Sequence, residues 1–282
     1  MWLWLSVGSA LLLGVYDVAK KRALQRNGVY WILLSATALT SLFLSPFLSA
    51  GPFSDHLRLM VKAVLVATSW VSGLKAMECL PLTTVSTIKA SRPMFVVFFS
   101  IILFGERLNL LQWLGVAVVM TALFLSTRSK RHDTDKKTSA KGITLMIVSV
   151  LSGSASALWD KHILQHMEPL FVQSWTNIYI TILLAVLLLI QYLTDKERFR
   201  PFAWDWRIPL IAVLITVSDS LYFFSVKDPD ALLSIISMIR RCSVLITFVG
   251  GVLIFKEGHV RDKALDMLLM MAGVALLLWG SL

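Results

Sequence analysis

Two apolar segments 151 residues apart carry cations at matching positions, and this pairing constrains the chain more than any other feature in it. Thr83 to Glu106 reads TTVSTIKASRPMFVVFFSIILFGE, and Ser234 to Glu257 reads SIISMIRRCSVLITFVGGVLIFKE. Laid over each other without a gap, they set Thr83 on Ser234, Ser86 on Ser237, Lys89 on Arg240, Arg92 on Ser243, Phe104 on Phe255 and Glu106 on Glu257. The chain reads as an internal duplication. A cation near the centre of a membrane helix costs about 2.5 to 3.5 kcal/mol on insertion scales. A lysine and an arginine at equivalent places in two repeats therefore point to a function, and the simplest is to hold an anion.

Hydrophobic residues make up 57% of the 282 and only 16% are charged. With a mean hydropathy of +0.74, the chain is too apolar for a soluble domain of this size. Apolar stretches at 2–24, 29–49, 58–77, 81–104, 108–127, 142–164, 169–193, 207–226, 231–255 and 263–281 each come near the ~20 residues that cross a ~30 Å hydrocarbon core as helix. The expected fold class is an all-α integral membrane protein with ten transmembrane helices. The first stretch is not expected to be a cleaved signal, because no basic segment precedes it and no small-residue cleavage site comes before Asp17 and Lys20.

The polar segment 128–141 carries six basic residues against two acidic ones and has no apolar periodicity, so it reads as a linker. It divides the chain into a first five-helix repeat, 1–127, and a second, 142–282. Because five is odd, the second half enters the membrane from the opposite side, and the duplication becomes a pair of inverted repeats, the arrangement of secondary transporters. The linker's side also holds Lys20, Lys21, Arg22, Lys75 and Arg207, so the positive-inside bias favours both termini outside. The formal charge of +10 lies largely in such membrane-flanking loops, and no nucleic-acid module accompanies it. The lipid bilayer of the cell (inner) membrane is the expected surrounding, and nucleic acid is not an expected partner.

Residues three apart are neighbours on a helix face, so Ser86 stacks near Lys89 and Ser237 near Arg240, and each repeat offers a hydroxyl beside a cation. Arginine presents a planar fork to two oxygens whereas lysine is a compact point charge, a combination suited to an asymmetric carboxylate or phosphate. Arg92 divides evenly between lining a cavity and reaching an interface. Asp17, Asp160, Asp219 and Glu78 are the acids available to these cations. Asp219 lies inside an apolar helix, where it either carries a proton or neutralises an arginine. Glu106 and Glu257 close their helices beside Arg107 and Lys256 and read as structural groups at the membrane edge.

Ten helices, the stretch from Ala76 to Leu125 with Pro93 after its small and polar residues and Glu106 closing the helix, and a weaker copy from Lys227 to Trp279 resemble the EamA-type branch of the drug/metabolite transporter superfamily. The copy keeps Glu257 but has Val244 where the pattern has proline. The resemblance implies a transporter whose termini both lie inside, against the charge count. It also implies a lysine ending the first helix of each repeat, which Lys21 and Lys161 match. More locally, VSTIKASRP at Val85 to Pro93 and MIRRCSVLI at Met238 to Ile246 are similar to paired runs in the triose-phosphate/phosphate translocators. That likeness implies Lys89, Arg240 and Arg241 as phosphate or carboxylate ligands, with Tyr222 beside them.

Three function classes follow. The leading one is a secondary transporter moving a small, anionic organic metabolite by alternating access, coupled to a proton or a counter-substrate. In it, Lys89, Arg240, Arg241, Ser86, Ser237, Tyr222 and Arg92 bind substrate, and Asp219, Asp17, Lys21 and Lys161 are candidates for coupling or gating. The second is a flippase of a lipid or lipid-linked precursor on the same fold. The third is a non-transporting membrane receptor. An enzyme is not expected, because no nucleophile and base pair, phosphate loop or metal cluster can be read. His162 and His166 at i and i+4 lack a third ligand, and Cys79 and Cys242 read as packing, so neither metal nor cofactor is expected. Trp70, Trp159 and Trp175 are candidates for cavity walls.

Overall fold

The computed structural model describes residues 1–281 apart from 24–28, 81–87, 90, 129–139, 195–201, 244, 247–248 and 250–259. The described residues form ten α-helices and no strand: α1 Trp2–Ala23, α2 Val29–Phe43, α3 Phe53–Cys79, α4 Arg92–Phe104, α5 Leu110–Arg128, α6 Ala140–Leu164, α7 Pro169–Thr194, α8 Arg207–Lys227, α9 Leu233–Arg241 and α10 Val260–Trp279.

Local chemistry sets the ends of these helices and corrects several expected boundaries. The stretch expected to run to residue 49 stops as α-helix at Phe43 and passes into a 3₁₀ turn, Ser45–Phe47, with Pro46 in its first turn, because a proline has no N–H to continue an α-helical ladder. α3 begins at Phe53 rather than 58, behind an extended Pro52, and ends where Leu80 turns extended at φ −126 and ψ 151. Leu80 precedes Pro81, whose ring disfavours helical backbone in the residue before it. α4 has Pro93 in its first turn and stops at Gly105, which is left-handed at φ 63, a conformation glycine adopts without penalty. At the start of α5, Asn109 N–H donates to Gln112 Oε1 and Gln112 N–H donates to Asn109 Oδ1, both at 2.8 Å. This reciprocal cap satisfies two otherwise orphaned donors.

The helices pack in pairs between the first five and the last five. α1 lies on α8, α3 on α6, α5 on α10, α2 on α7 and α4 on α9. Serines let the first two pairs approach closely. Ser9 and Ser218 each donate a hydroxyl to the other's carbonyl, at 2.8 and 2.9 Å, and Ser6 Oγ meets Ser225 Oγ at 2.6 Å. Membrane helices gain most of their association energy from such close approach and interhelical hydrogen bonding, since lipid is as apolar as leucine. Ser225 Oγ also donates to Trp2 O and Asn109 Nδ2 to Gly280 O. The starts of α1 and α5 therefore share one end of the bundle with the ends of α8 and α10.

Among the described residues, four helices are long and apolar enough to cross a membrane, within Trp2–Lys20, Ala140–Leu164, Pro169–Thr194 and Arg207–Lys227. Apolar side chains also point outward in stripes. Met94, Phe98 and Ile102, one turn apart along α4, are all exposed, the pattern of a helix whose outer face meets hydrocarbon.

Candidate functional site

The bundle encloses a cavity of about 340 Å³ to which every helix except α5 and α10 contributes. Its lining is charged. α1 supplies Lys20, α3 supplies Lys62, α4 supplies Arg92, and α9 supplies Arg240 and Arg241, while the carboxylates are Asp160 of α6 and Asp219 of α8. Five cations against two acids leave three positive charges facing one cavity. Thr37, Trp70, Thr176, Asn177 and Ser237 add neutral polar and aromatic wall.

Two ion pairs of different character sit in this wall. Lys62 Nζ donates to Asp160 Oδ1, and the side chains are only 4% and 7% exposed. The pair is completed by Tyr222, whose hydroxyl donates to Asp160 Oδ2 at 3.3 Å, and by the Phe223 ring 4.0 Å from Lys62 Nζ. Burying both partners is tolerable only because each charge is matched and hydrogen-bonded. The second pair is more open. Arg240 Nη2 donates to Asp219 Oδ1 at 2.7 Å, with side chains 20% and 31% exposed. The Arg240 guanidinium stacks 4.1 Å from the Tyr222 ring centroid, and its Nε is buried without a hydrogen-bond partner among the described residues. Tyr222 thus touches both pairs, one through its hydroxyl and one through its ring.

The structure brings Arg240, Arg241, Ser237, Tyr222, Arg92 and Asp219 to one cavity. Arg92 is anchored there by Nη2 donating to Gly153 O of α6. A Cβ at Gly153 would lie 2.6 Å from Arg92 Cζ, so only glycine leaves the guanidinium this path. Lys89 is exposed and does not line the cavity. It lies within electrostatic reach of Asp17, Lys20, Arg92 and Arg241. Ser86 and the Lys21 side chain lie outside the described residues. Trp70 lines the cavity. Trp159 instead ties α6 to α3 and Trp175 ties α7 to the loop before α3, their indole N–H groups donating to Arg58 O and Ser49 O at 3.0 Å.

Sequence reading missed Lys20 and Lys62 as cavity groups. Lys62 is hidden by the apparent start of its apolar stretch at 58, which puts the lysine in a first turn where cations reach the interface. With α3 beginning at Phe53, the same residue lies in the third turn. Lys20 is hidden by Lys21 and Arg22, which make the end of α1 look like a solvated basic run.

A model of the EamA-like transporter family matches residues 1–128 and again 140–279. The chain belongs to the EamA-like transporter family. It is accordingly an integral, multi-pass membrane protein of a transporter family within the drug/metabolite transporter superfamily. The fold is also that of a solved crystal structure of a protein 13% identical in sequence, with a TM-score of 0.77 over 97% of this chain and 95% of that one. No curated protein matches the sequence.

In this EamA-like transporter, Glu106 ties α4 to α6 and α9. Its carboxylate follows the left-handed Gly105 at the end of α4 and accepts hydrogen bonds from Lys161 Nζ at 2.8 Å, Leu233 N at 2.7 Å, and Ser234 N and Oγ at 3.1 and 2.5 Å. The acid caps the N-terminus of α9, where free N–H groups and the helix dipole favour negative charge. Lys161 also donates to Ala231 O, and Leu233, the first residue of α9, lines the cavity. Glu106, expected to be a structural group, joins α4, α6 and α9. Lys161 is committed to that joint and does not face the cavity.

Proposed function

We propose that this protein is a secondary transporter of the cell (inner) membrane that carries a small organic anion, a carboxylate or a phosphate ester, by alternating access between two inverted five-helix repeats. The observation that carries the reading is the cavity wall, in which five cations face two carboxylates. Uncompensated charge in an enclosed space is costly, and an anionic cargo supplies the missing counter-charge. The volume of about 340 Å³ falls in the range of small-molecule sites, about 300 to 1,000 Å³.

The division into repeats 1–127 and 142–282 around the 128–141 linker is supported by the two family matches on either side of it. It is supported as well by packings that answer each other across the halves, α1 on α8 by α6 on α3 and α4 on α6 by α9 on α1. In this reading Arg240, Arg241, Arg92 and Lys20 hold the anion, with Ser237 and Tyr222 beside them. Lys89 attracts the anion towards the cavity, and the two repeats rock about the site.

Ligand-dependent melting of the purified protein tests the proposal, because a ligand that binds only the folded form raises its apparent stability. Carboxylates and phosphate esters are expected to raise the melting temperature and to be accumulated by proteoliposomes. Stabilisation by neutral or cationic compounds alone would overturn it.

A further inference from the structure

Resting on the anion reading of the cavity, we infer that α7 carries a second, uncharged half of the cargo site, in which Thr176 and Asn177 take a hydroxyl of the substrate. The cargo class is a hydroxylated organic acid, with its anionic head on the arginines and its hydroxyl-bearing chain on α7.

The cavity is divided by charge. Arg92, Arg240 and Arg241 stand within electrostatic reach of one another. They come from α4 and α9, which pack on each other, α4 also on α6 and α9 also on α1. α2 and α7 pack on each other and on α8, and neither contains an Asp, Glu, Lys or Arg. These two helices give the cavity Thr37, Thr176 and Asn177. Lys62 is spent on Asp160, whose second oxygen Tyr222 occupies, so the arginines are left to take the anionic head as a fork.

Among the described residues, three buried side-chain polar atoms lack a hydrogen-bond partner, and two of them, Arg240 Nε and Thr176 Oγ1, belong to residues of the cavity wall. One lies in each half. A buried hydroxyl without a partner costs free energy, and a threonine inside a helix commonly avoids that cost by donating to the carbonyl four residues earlier. Thr37, Thr181 and Thr216 do so, at 2.9, 2.7 and 2.6 Å. Thr176, only 3% exposed, does not. Its neighbour Asn177 spends one amide N–H on Gln173 O at 2.9 Å, and Gln173 is itself held to α8 by Ser220 Oγ and Thr216 O. That bond fixes the Asn177 amide and leaves its Oδ1 and second N–H beside the Thr176 hydroxyl. A cargo hydroxyl both donates and accepts, and so matches the pair.

Other organic anions fit this half less well. A plain acyl chain sets methylene groups against the polar pair. A second carboxylate finds no cation on α2 or α7, and an ammonium finds the two carboxylates of the cavity already matched, Asp160 by Lys62 and Asp219 by Arg240.

The test uses the purified full-length protein in detergent at neutral pH and measures affinity by calorimetry for two matched pairs, gluconate against hexanoate and glycerol phosphate against propyl phosphate. The members of each pair share a head and a carbon-chain length and differ only in hydroxyls. The hydroxylated member is expected to bind about tenfold tighter or more. Adipate and aminocaproate, which carry a second charge in place of the hydroxyls, are expected to bind more weakly than gluconate. Thr176→Val and Asn177→Leu keep the size of the side chain and remove its polar atoms, so each is expected to cut the preference several-fold and the two together to abolish it. Arg241→Ala is expected to weaken both members of a pair while the preference stays. Equal binding within both pairs, tighter binding of adipate or aminocaproate than of gluconate, or a preference that survives the double variant would overturn the hydroxyl site while leaving the anion site in place. Failure of the parent protein to bind any of these compounds would overturn the anion reading itself.

Discussion

Ser149 and Ser69 hold each other reciprocally across α6 and α3: each hydroxyl donates to the other's carbonyl, at 2.6 and 2.7 Å. The same exchange occurs between Ser9 and Ser218 across α1 and α8, so each half of the chain is bound to the other by a matching pair of hydrogen bonds. Interhelical hydrogen bonds in membrane proteins are worth about 0.6 kcal/mol each. Ser149→Ala is expected to destabilise the protein by about that amount, seen as a small fall in melting temperature in detergent. Ser149→Leu, which forces the backbones apart, is expected to lower it much further. Equal melting of the two variants would mean that close approach does not hold α3 on α6.

The Lys62–Asp160 pair is buried and matched, so removing one partner strands the other. Lys62→Met alone or Asp160→Leu alone is expected to cost about 3 to 5 kcal/mol. The double variant is expected to recover most of that loss, because an apolar pair leaves no unpaired charge. Additive losses in denaturation of the single and double variants would show that the two residues do not act as a pair.

Glu106 accepts four hydrogen bonds, three from Leu233 and Ser234 of α9 and one from Lys161 of α6. Glu106→Gln keeps the shape but loses the charge, and is expected to destabilise the protein by about 1.5 to 3 kcal/mol, the worth of a hydrogen bond to a charged group. The change is also expected to expose a cysteine placed at Ser237, in a background with Cys79 and Cys242 replaced by alanine, to a membrane-impermeant thiol reagent added on the side of the termini. Unchanged labelling would show that the Glu106 joint does not limit access to Ser237.

Uptake by proteoliposomes should grade the cations by their place. Arg240→Ala and Arg241→Ala remove groups that line the cavity and are expected to abolish uptake of a carboxylate or phosphate ester that the parent protein carries. Lys89→Ala is expected to slow uptake several-fold, and more at low than at high ionic strength, because an exposed charge acts through screened, long-range attraction. Loss of transport in Lys89→Ala equal to that in Arg241→Ala would place Lys89 in the binding site.

Sequence alone determined the membrane character, the paired family pattern and six of the residues that line the cavity, because each leaves a one-dimensional trace. Apolar runs have the length of a bilayer, repeats keep a fixed offset, and cations such as Arg240 and Arg241 are conspicuous inside an apolar stretch. Tertiary structure decided which cations share an enclosed space. Lys62 lies deep in α3 because that helix starts at Phe53, and Lys89 does not line the cavity although Arg240, its match by the 151-residue offset, does. The partners Asp160 and Asp219 were visible as acids, yet nothing in their spacing says that one is sealed against Lys62 and the other shares Arg240 with an open cavity. Ion pairs form between residues 98 and 21 positions apart, and the pairing depends on which helices pack together, a property of three-dimensional contact that no local periodicity encodes.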